Sequence, residues 1–157
     1  MSATPNEWMQ AALQAALDNV KTLAGGPFGA VVVRQGVLVA TGHNQVTALH
    51  DPTAHAEVQA IRAACRKLGH FQLTDCEIYT SCEPCPMCLG AIYWARPRAV
   101  YYAYSHEDAA RAGFDDRFIY EQIALPIQDR SIPMIQIRAE GADPFAEWRA
   151  AKGRIEY

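Results

Sequence analysis

The sequence has no apolar run long enough to cross a bilayer, and residues 1–10 lack the basic stretch and apolar core of a secretion signal. These two absences predict a cytoplasmic protein that makes no contact with membranes. Its 157 residues are enough for one domain with its own core, so residues 1–157 are expected to form a single domain without disulfide staples.

The chain also lacks a block of charge of one sign. Its 14 Lys and Arg and 17 Asp and Glu residues are mixed along the sequence, and the formal net charge is −3. Binding to a phosphate backbone needs clustered cations, so no nucleic-acid partner is expected. A small neutral or cationic molecule is the expected ligand.

Cysteine is scarce and odd in number, with five residues, which argues against a disulfide framework. Three of the five stand at intervals of three in "SCEPCPMC" (81–88). Cys85 and Cys88 follow Pro84 at a predicted helix start, where thiolates are favoured and both sulfurs can reach one metal ion. Cys82 lies before the proline, near a strand end, and is interpreted as a buried thiol behind the site.

Two other interpretations of the three cysteines stay open. One is a closed structural zinc site that uses all three, and the other is an iron–sulfur cluster. The ferredoxin pattern requires a fourth cysteine four positions after Cys88, where this sequence has Ile92.

Hydrophobic periodicity and turn signals predict an α/β fold, a three-layer α/β/α sandwich with a mixed five-stranded sheet. The predicted strands are 28–34, 37–42, 77–80, 99–104 and 132–138. The predicted helices are 7–24 capped by Asn6, 54–68 capped by Thr53, 84–95, short helices within 106–124, and 145–152. Ligands of such folds collect where strands end and helices begin, and both "HAE" (55–57) and "CEPCPMC" (82–88) stand at such joints.

His55 and Glu57 stand two positions apart at a predicted helix start, so their side chains need not point the same way. The imidazole can be a third metal ligand while the carboxylate stays free. H-x-E followed downstream by P-C-x-x-C is the signature of zinc nucleobase deaminases. One zinc ion per chain, bound by His55, Cys85 and Cys88, would keep its fourth position open for water, as catalytic zinc requires.

The expected reaction is a hydrolytic deamination. Glu57 takes a proton from zinc-bound water, the oxygen attacks the amino-bearing ring carbon, and Glu57 delivers protons to the ring nitrogen and the leaving amine. Two thiolates offset the charge of the ion, so zinc activates water weakly and a nearby base is needed.

Over nearly its whole length the sequence resembles the cytidine-deaminase-like superfamily and, within it, the guanine deaminases of bacterial type. The residues that carry the resemblance are "GGPFGAVVV" (25–33), "GHN" (42–44), "DPTAHAEVQAIR" (51–62), "YTSCEPCPMCLGAIYWAR" (79–96), "AGFDD" (112–116) and the terminal Tyr157. The resemblance implies a cytidine-deaminase-like fold and a zinc-dependent hydrolase that converts guanine to xanthine and ammonia in purine catabolism. It also implies a homodimer, in which the tail from about 140 to 157 is exchanged and covers the active site of the partner.

The resemblance further implies a pocket for a small purine base. Its implied substrate-binding residues are Phe28, Asn44, Ala56, Trp94, Asp116 and Tyr157. Guanine offers two kinds of donor, N1–H and the exocyclic amine, and the acceptors N7 and O6, which suit a carboxylate and an amide beside an aromatic face. A turn for Asn44, a core or interface for Trp94 and a helix cap for Asp116 are the alternatives. Glu121 is a candidate second acid, with a solvated helix face as its alternative.

Other functions remain open on the sequence alone. A tRNA adenosine deaminase has the same zinc motif but needs a basic surface, and a cytosine or other small-base deaminase differs in the size of its pocket. Outside enzymes, a zinc-stabilised binding module would need no Glu57.

Overall fold

The structure, a computed structural model, describes residues 4–138 and 140–157 of the chain. These residues form two compact units, one that ends at Arg117 and one that spans Phe118–Tyr157. The first unit contains the sheet and the candidate metal ligands.

A mixed sheet lies at the centre of the first unit. Its strands are β1 Gly29–Arg34, β2 Val37–His43, β3 Cys76–Cys82 and β4 Ala99–Tyr104. In the described residues the strand order is β2-β1-β3-β4, with β1 antiparallel to both neighbours and β3 parallel to β4. The β1–β2 hairpin turns at Gln35 and Gly36, which have φ of 51° and 72°, as a two-residue type I′ turn requires.

In the first unit, α1 Pro5–Thr22 covers one face of this sheet, and α3 Ala56–Leu68 and α4 Pro86–Ala95 cover the other. The chain also forms the helices α2 Val46–Leu49 and α5 His106–Arg111. Further along the chain are α6 Arg117–Ala124, a 3-10 turn at Ile127–Asp129 and α7 Pro144–Ala150. No helix in the described ranges is both long and apolar enough to span a membrane.

Two cores, one on each face of the sheet, confirm the predicted three-layer architecture. Val31 and Val33 of β1 pack with α1, whereas Ala30 and Val32 pack with α3 and α4. Successive strand residues therefore face opposite layers, as a pleated strand requires.

The start of α1 differs from the prediction. The helix begins at Pro5, because Thr4 and Glu7 form a capping box across its first turn. The predicted cap, Asn6, lies inside the helix.

The predicted fifth strand, at 132–138, is wrong. In the described part of the chain, residues 133–138 have no regular secondary structure and the sheet has four strands. Ile132, Ile135 and Ile137 are 75%, 80% and 86% exposed. Alternating apolar residues form a strand only when a neighbouring edge accepts their hydrogen bonds, and Pro133 removes one of the donors.

Candidate metal centre and active site

Three side chains that the sequence predicts as metal ligands meet at one point. Nδ1 of His55 lies 3.5 Å from Sγ of Cys85 and 3.5 Å from Sγ of Cys88. One ligand atom from each of the three residues lies within 4.8 Å of the others. Cys88 is buried and the other two residues are half-buried, so the cluster stands at the boundary of the core.

The starts of two packed helices bring these ligands together. His55 is the N-cap residue of α3, and its side chain makes no capping hydrogen bond, which leaves the ring free to face the thiols. Cys85 is the N-cap residue of α4, and Cys88 lies one turn further on. Gly42 of β2 lets α3 approach closely, because a Cβ there would lie 2.3 Å from the carbonyl oxygen of Ala56.

Both helices begin two residues later than the sequence predicts. Asp51 accepts hydrogen bonds from the amide and hydroxyl of Thr53, so that residue belongs to a turn and His55 becomes the cap of α3. The first residue of α4 is Pro86 rather than Pro84, and a proline fits there because the first helical position needs no amide donor.

The spacing and the donor types fit a zinc ion. Zn–S bonds of about 2.3 Å and Zn–N bonds of about 2.05 Å in a tetrahedron separate a sulfur from a nitrogen ligand by about 3.6 Å. The two 3.5 Å separations from His55 agree with that value. Thiolates and imidazole are ligands that zinc prefers, and three of them leave one tetrahedral position for a reactant.

The two thiols titrate as a pair. A hydrogen bond from Cys88 and, after it, one from His55 lower the pKa of Cys85, whereas the hydrogen bond to Cys85 and burial raise the pKa of Cys88. The hydrogen bond with Cys85 raises the pKa of His55. The cluster therefore favours a negative charge on one sulfur, and a divalent cation would displace the remaining protons.

Glu57 lies in the first turn of α3 beside this cluster and is 5% exposed. Its Oε1 accepts a 3.0 Å hydrogen bond from the Thr80 hydroxyl, and its Oε2 accepts a 3.4 Å hydrogen bond from the Cys88 thiol. Burial raises the pKa of the carboxyl, although its hydrogen bonds oppose the shift. A carboxyl with a raised pKa can take and return a proton close to neutral pH.

Asn44 is buried against the loop that precedes β1. Its Oδ1 accepts 3.2 Å hydrogen bonds from the backbone amides of Gly26 and Val46. Within the described residues its Nδ2 has no hydrogen-bond partner, so that group can donate to a ligand. Gly25 is required by this packing, because a Cβ there would lie 2.3 Å from Oδ1 of Asn44.

An aromatic pair stands beside the same loop. The rings of Phe28 and Phe114 meet edge to face, with centroids 5.0 Å apart and an interplanar angle of 84°. Asp116 follows two residues later and is half-buried. Burial raises the pKa of its carboxyl, and the nearby charge of Cys85 adds to the shift. One segment, 112–116, thus places an aromatic ring against Phe28 and a carboxyl near Cys85.

The remaining predicted pocket residues have different surroundings. Ala56 is 0% exposed, backbone included, and packs in the core, so it presents no surface to a ligand. Trp94 is 63% exposed on α4, which fits the interface alternative. Glu121 and Tyr157 are exposed residues of the second unit, Phe118–Tyr157.

Cys82 ends β3 and is buried, with its thiol donating a 3.5 Å hydrogen bond to the carbonyl oxygen of Ser105. Burial raises the pKa of this thiol to about 11. Among the described residues, the group of candidate metal ligands does not include it. A groove of about 530 Å³ between α1 and α5 is lined in part by Cys82, Phe28 and Phe114, and by none of the three ligands.

Sequence reasoning missed Thr80 and Phe114. Thr80 is a polar residue inside β3, in the sequence CEIYTSC, and its contact with Glu57 has no local signal beyond that polarity. Phe114 stands in "AGFDD" (112–116), the segment in which the resemblance implies a role for Asp116 alone. Neither contact follows from spacing, because both join distant segments.

The chain is similar to zinc deaminases over most of its length. The zinc-binding region of cytidine and deoxycytidylate deaminases matches residues 2–104. Guanine deaminase of Bacillus subtilis (strain 168) is 56% identical over 151 residues, which cover 96% of this chain and 97% of that protein. The X-ray structure of guanine deaminase from Bacillus subtilis superposes with a TM-score of 0.96 at 53% identity, covering 99% of each chain.

Two further relatives share less of the chain. A structure solved in complex with 2,6-diaminopurine has a TM-score of 0.69 at 36% identity and covers 74% of this chain and 64% of its own. A tRNA-specific adenosine deaminase of Aquifex aeolicus (strain VF5) is 44% identical over 77 residues, which are 49% of this chain and 51% of that protein. The similarity to the tRNA enzyme is therefore confined to about half of each chain.

Proposed function

The chain belongs to the cytidine and deoxycytidylate deaminase family and, within it, to the guanine deaminases, and we propose on this basis that it converts guanine and water to xanthine and ammonia. The reaction is a zinc-dependent hydrolytic deamination. The carbon that bears the exocyclic amine gains an oxygen from water and loses that amine as ammonia.

The observation that carries this function is a three-ligand metal site beside a buried carboxyl. His55, Cys85 and Cys88 would hold the ion, and Glu57 lies against Cys88. Zinc bound there supplies Lewis acidity that lowers the pKa of water. A purely structural site would close the fourth position with another side chain and would not require the buried Glu57.

Glu57 is the proton carrier of the proposed mechanism. Its carboxylate takes the two protons of the attacking water in turn, delivering the first to the ring nitrogen and the second to the departing amine as the carbon–nitrogen bond breaks. The Thr80 hydroxyl fixes Oε1, and metal binding would remove the Cys88 thiol proton that Oε2 accepts, which would free Oε2 for proton transfer. Burial keeps the carboxyl dry, which sustains the raised pKa that such a shuttle needs.

The purine ring is bound through its hydrogen-bonding edges and one face. Asn44 donates from Nδ2 to a ring acceptor, Asp116 accepts from the N–H groups of guanine, and Phe28 lies against the ring. Ala56 is 0% exposed and is not assigned a contact with the ring, and Trp94, 63% exposed on α4, is assigned to an interface.

A small base is favoured over an RNA substrate by two observations. The Bacillus subtilis relative, which aligns with 96% of this chain, is named guanine deaminase, whereas the tRNA-specific adenosine deaminase aligns with 49% of it. The net charge of −3 also offers little attraction for a polyanion. We further propose that the enzyme works in the cytoplasm, because its zinc-binding thiols must stay reduced.

The test is deamination of guanine by purified protein of known metal content, followed by ammonia release and the ultraviolet change from guanine to xanthine. The expected kcat/KM for guanine exceeds those for adenine, cytosine and cytidine by at least about 10²-fold. A tRNA stem-loop with an unpaired adenosine is run in parallel. Turnover of the stem-loop or of cytosine in preference to guanine would contradict the proposed substrate.

The tail is proposed to work in trans, within a homodimer. None of the described residues in Phe118–Tyr157 is buried, and Phe145, Ile155 and Tyr157 are 73%, 68% and 71% exposed. A segment of this composition needs another surface on which to bury its apolar side chains. We propose that residues from about 140 to 157 cover the active site of the partner subunit, with Tyr157 reaching the substrate and Glu121 as a candidate second acid.

Deletion of Tyr157 is expected to lower kcat/KM for guanine by about 10-fold or more, because a hydrogen bond and ring contact with the substrate are lost. Complementation then tests exchange. A Glu57→Gln chain with an intact tail, co-expressed with a Tyr157-deleted chain, is expected to recover activity in one of the two sites of a mixed dimer. No recovery in isolated mixed dimers would mean that each tail serves its own chain.

A further inference from the structure

Asn19, near the end of α1, is a buried polar residue to which neither the predicted pocket nor the mechanism gives a role. It is 2% exposed, and its Nδ2 donates to the carbonyl oxygens of Gly26 at 2.7 Å and Asn44 at 2.8 Å. Both N–H bonds of the amide are thereby used.

The orientation of this amide is fixed by its acceptors. Rotation that exchanged Oδ1 and Nδ2 would aim an oxygen at two carbonyl oxygens, which cannot donate. Oδ1 of Asn19 is a buried oxygen without a hydrogen-bond partner in the described residues. The fold thus leaves an acceptor unsatisfied in order to hold these two carbonyls.

The bonds of Asn19 close a ring that contains the side chain of Asn44. Asn19 holds the carbonyl oxygens of Gly26 and Asn44, and the amide of Gly26 donates to Oδ1 of Asn44. The amide of Val46 donates to the same Oδ1. The oxygen of the Asn44 amide is therefore fixed, which fixes the direction of its unpartnered Nδ2.

We propose that Asn19 is a positioning residue for substrate recognition. It holds the loop around Gly26 against Asn44, so that Nδ2 of Asn44 points at an acceptor of the purine. The inference rests on the proposed function, because it takes Asn44 as a substrate donor. Asn19 acts on the bound ring through Asn44, and in the described part of the chain its side chain donates to Gly26 and Asn44, not to a metal ligand. Its loss should therefore weaken substrate binding and leave the proton transfers intact.

A double-mutant cycle tests this role with guanine as substrate. Asn19→Leu is expected to raise KM by about 10-fold with kcat within about twofold of the wild type. In an Asn44→Ala background, Asn19→Leu is expected to add nothing to KM, because its target is gone. Gln14→Leu removes an exposed amide from the same helix and is expected to leave KM unchanged.

Additive effects of the two substitutions on KM, or an unchanged KM in folded Asn19→Leu, would overturn the proposal. If Asn19→Leu does not fold, Asn19→Ala enters the same cycle. A second readout is independent of turnover. In NMR spectra of 15N-labelled protein, the side-chain NH2 signals of Asn44 are assigned by their absence in Asn44→Ala. They are expected to be sharp in the wild type and to shift or broaden in the Asn19 variant.

The two readouts separate this inference from the proposed function. Wild-type protein that binds zinc and leaves guanine unchanged contradicts the function. Asn44 amide signals that do not change on substitution of Asn19 contradict the positioning role, whatever the substrate proves to be.

Discussion

Glu57→Gln is expected to bind zinc normally and to deaminate guanine at least about 10³-fold more slowly than the wild type. Glutamine has the size of glutamate, and its Oε1 can still accept the hydrogen bond from Thr80, so the geometry of the site should persist. It cannot take up or release a proton, and Glu57 is proposed to act in more than one transfer. The measurement is kcat for guanine together with the metal content of the same sample.

Glu77→Gln is the matched control. It makes the same change on β3, where Glu77 pairs with Arg98 at 2.6 Å near the surface, and kcat is expected to stay within about twofold. The melting temperature of Glu57→Gln is not expected to fall, because burial already disfavours the carboxylate. A zinc-replete Glu57→Gln enzyme with kcat within about 10-fold of the wild type would remove Glu57 from the mechanism.

The ligand set could be predicted because short motifs define it locally. Cys85 and Cys88 are separated by one turn wherever the helix begins, and an error of two residues in that start did not separate them. The pairing of His55 with these cysteines is different, since Cys85 lies 30 positions after His55. It followed from the signature that joins H-x-E to P-C-x-x-C, and spacing alone would not have given it.

The contacts that shape the site depend on the tertiary fold, and sequence periodicity does not contain them. Thr80 reaches Glu57 across 23 positions, and Asn19 reaches Asn44 across 25. The first contact depends on how α3 packs on one face of the sheet, and the second depends on how α1 packs on the other. The wrong strand at 132–138 has a related cause: its alternation is that of a strand, but in the described residues no edge pairs with it.

Removal of Cys85 is expected to empty the metal site. Cys85→Ala leaves His55 and Cys88, and two protein ligands hold zinc poorly, so the zinc content should fall from about one to below about 0.1 per chain. Turnover of guanine should fall to background. Added zinc should raise the melting temperature of the wild type and leave that of Cys85→Ala unchanged, because ligand binding stabilises only a fold that has the site. Metal analysis after gel filtration and a thermal melt measure these effects.

Cys82→Ala is the variant that separates an open catalytic site from a closed one made of three cysteines. Zinc loss from Cys82→Ala as well as from His55→Ala would make Cys82 a fourth ligand and close the site. The geometry argues for the other outcome. Burial raises the pKa of the Cys82 thiol to about 11, and the thiol donates a hydrogen bond to the Ser105 carbonyl oxygen, so it resists the thiolate form that coordination needs. Cys82→Ala is therefore expected to keep about one zinc per chain and to lose about 1–2 kcal/mol of stability from a small cavity.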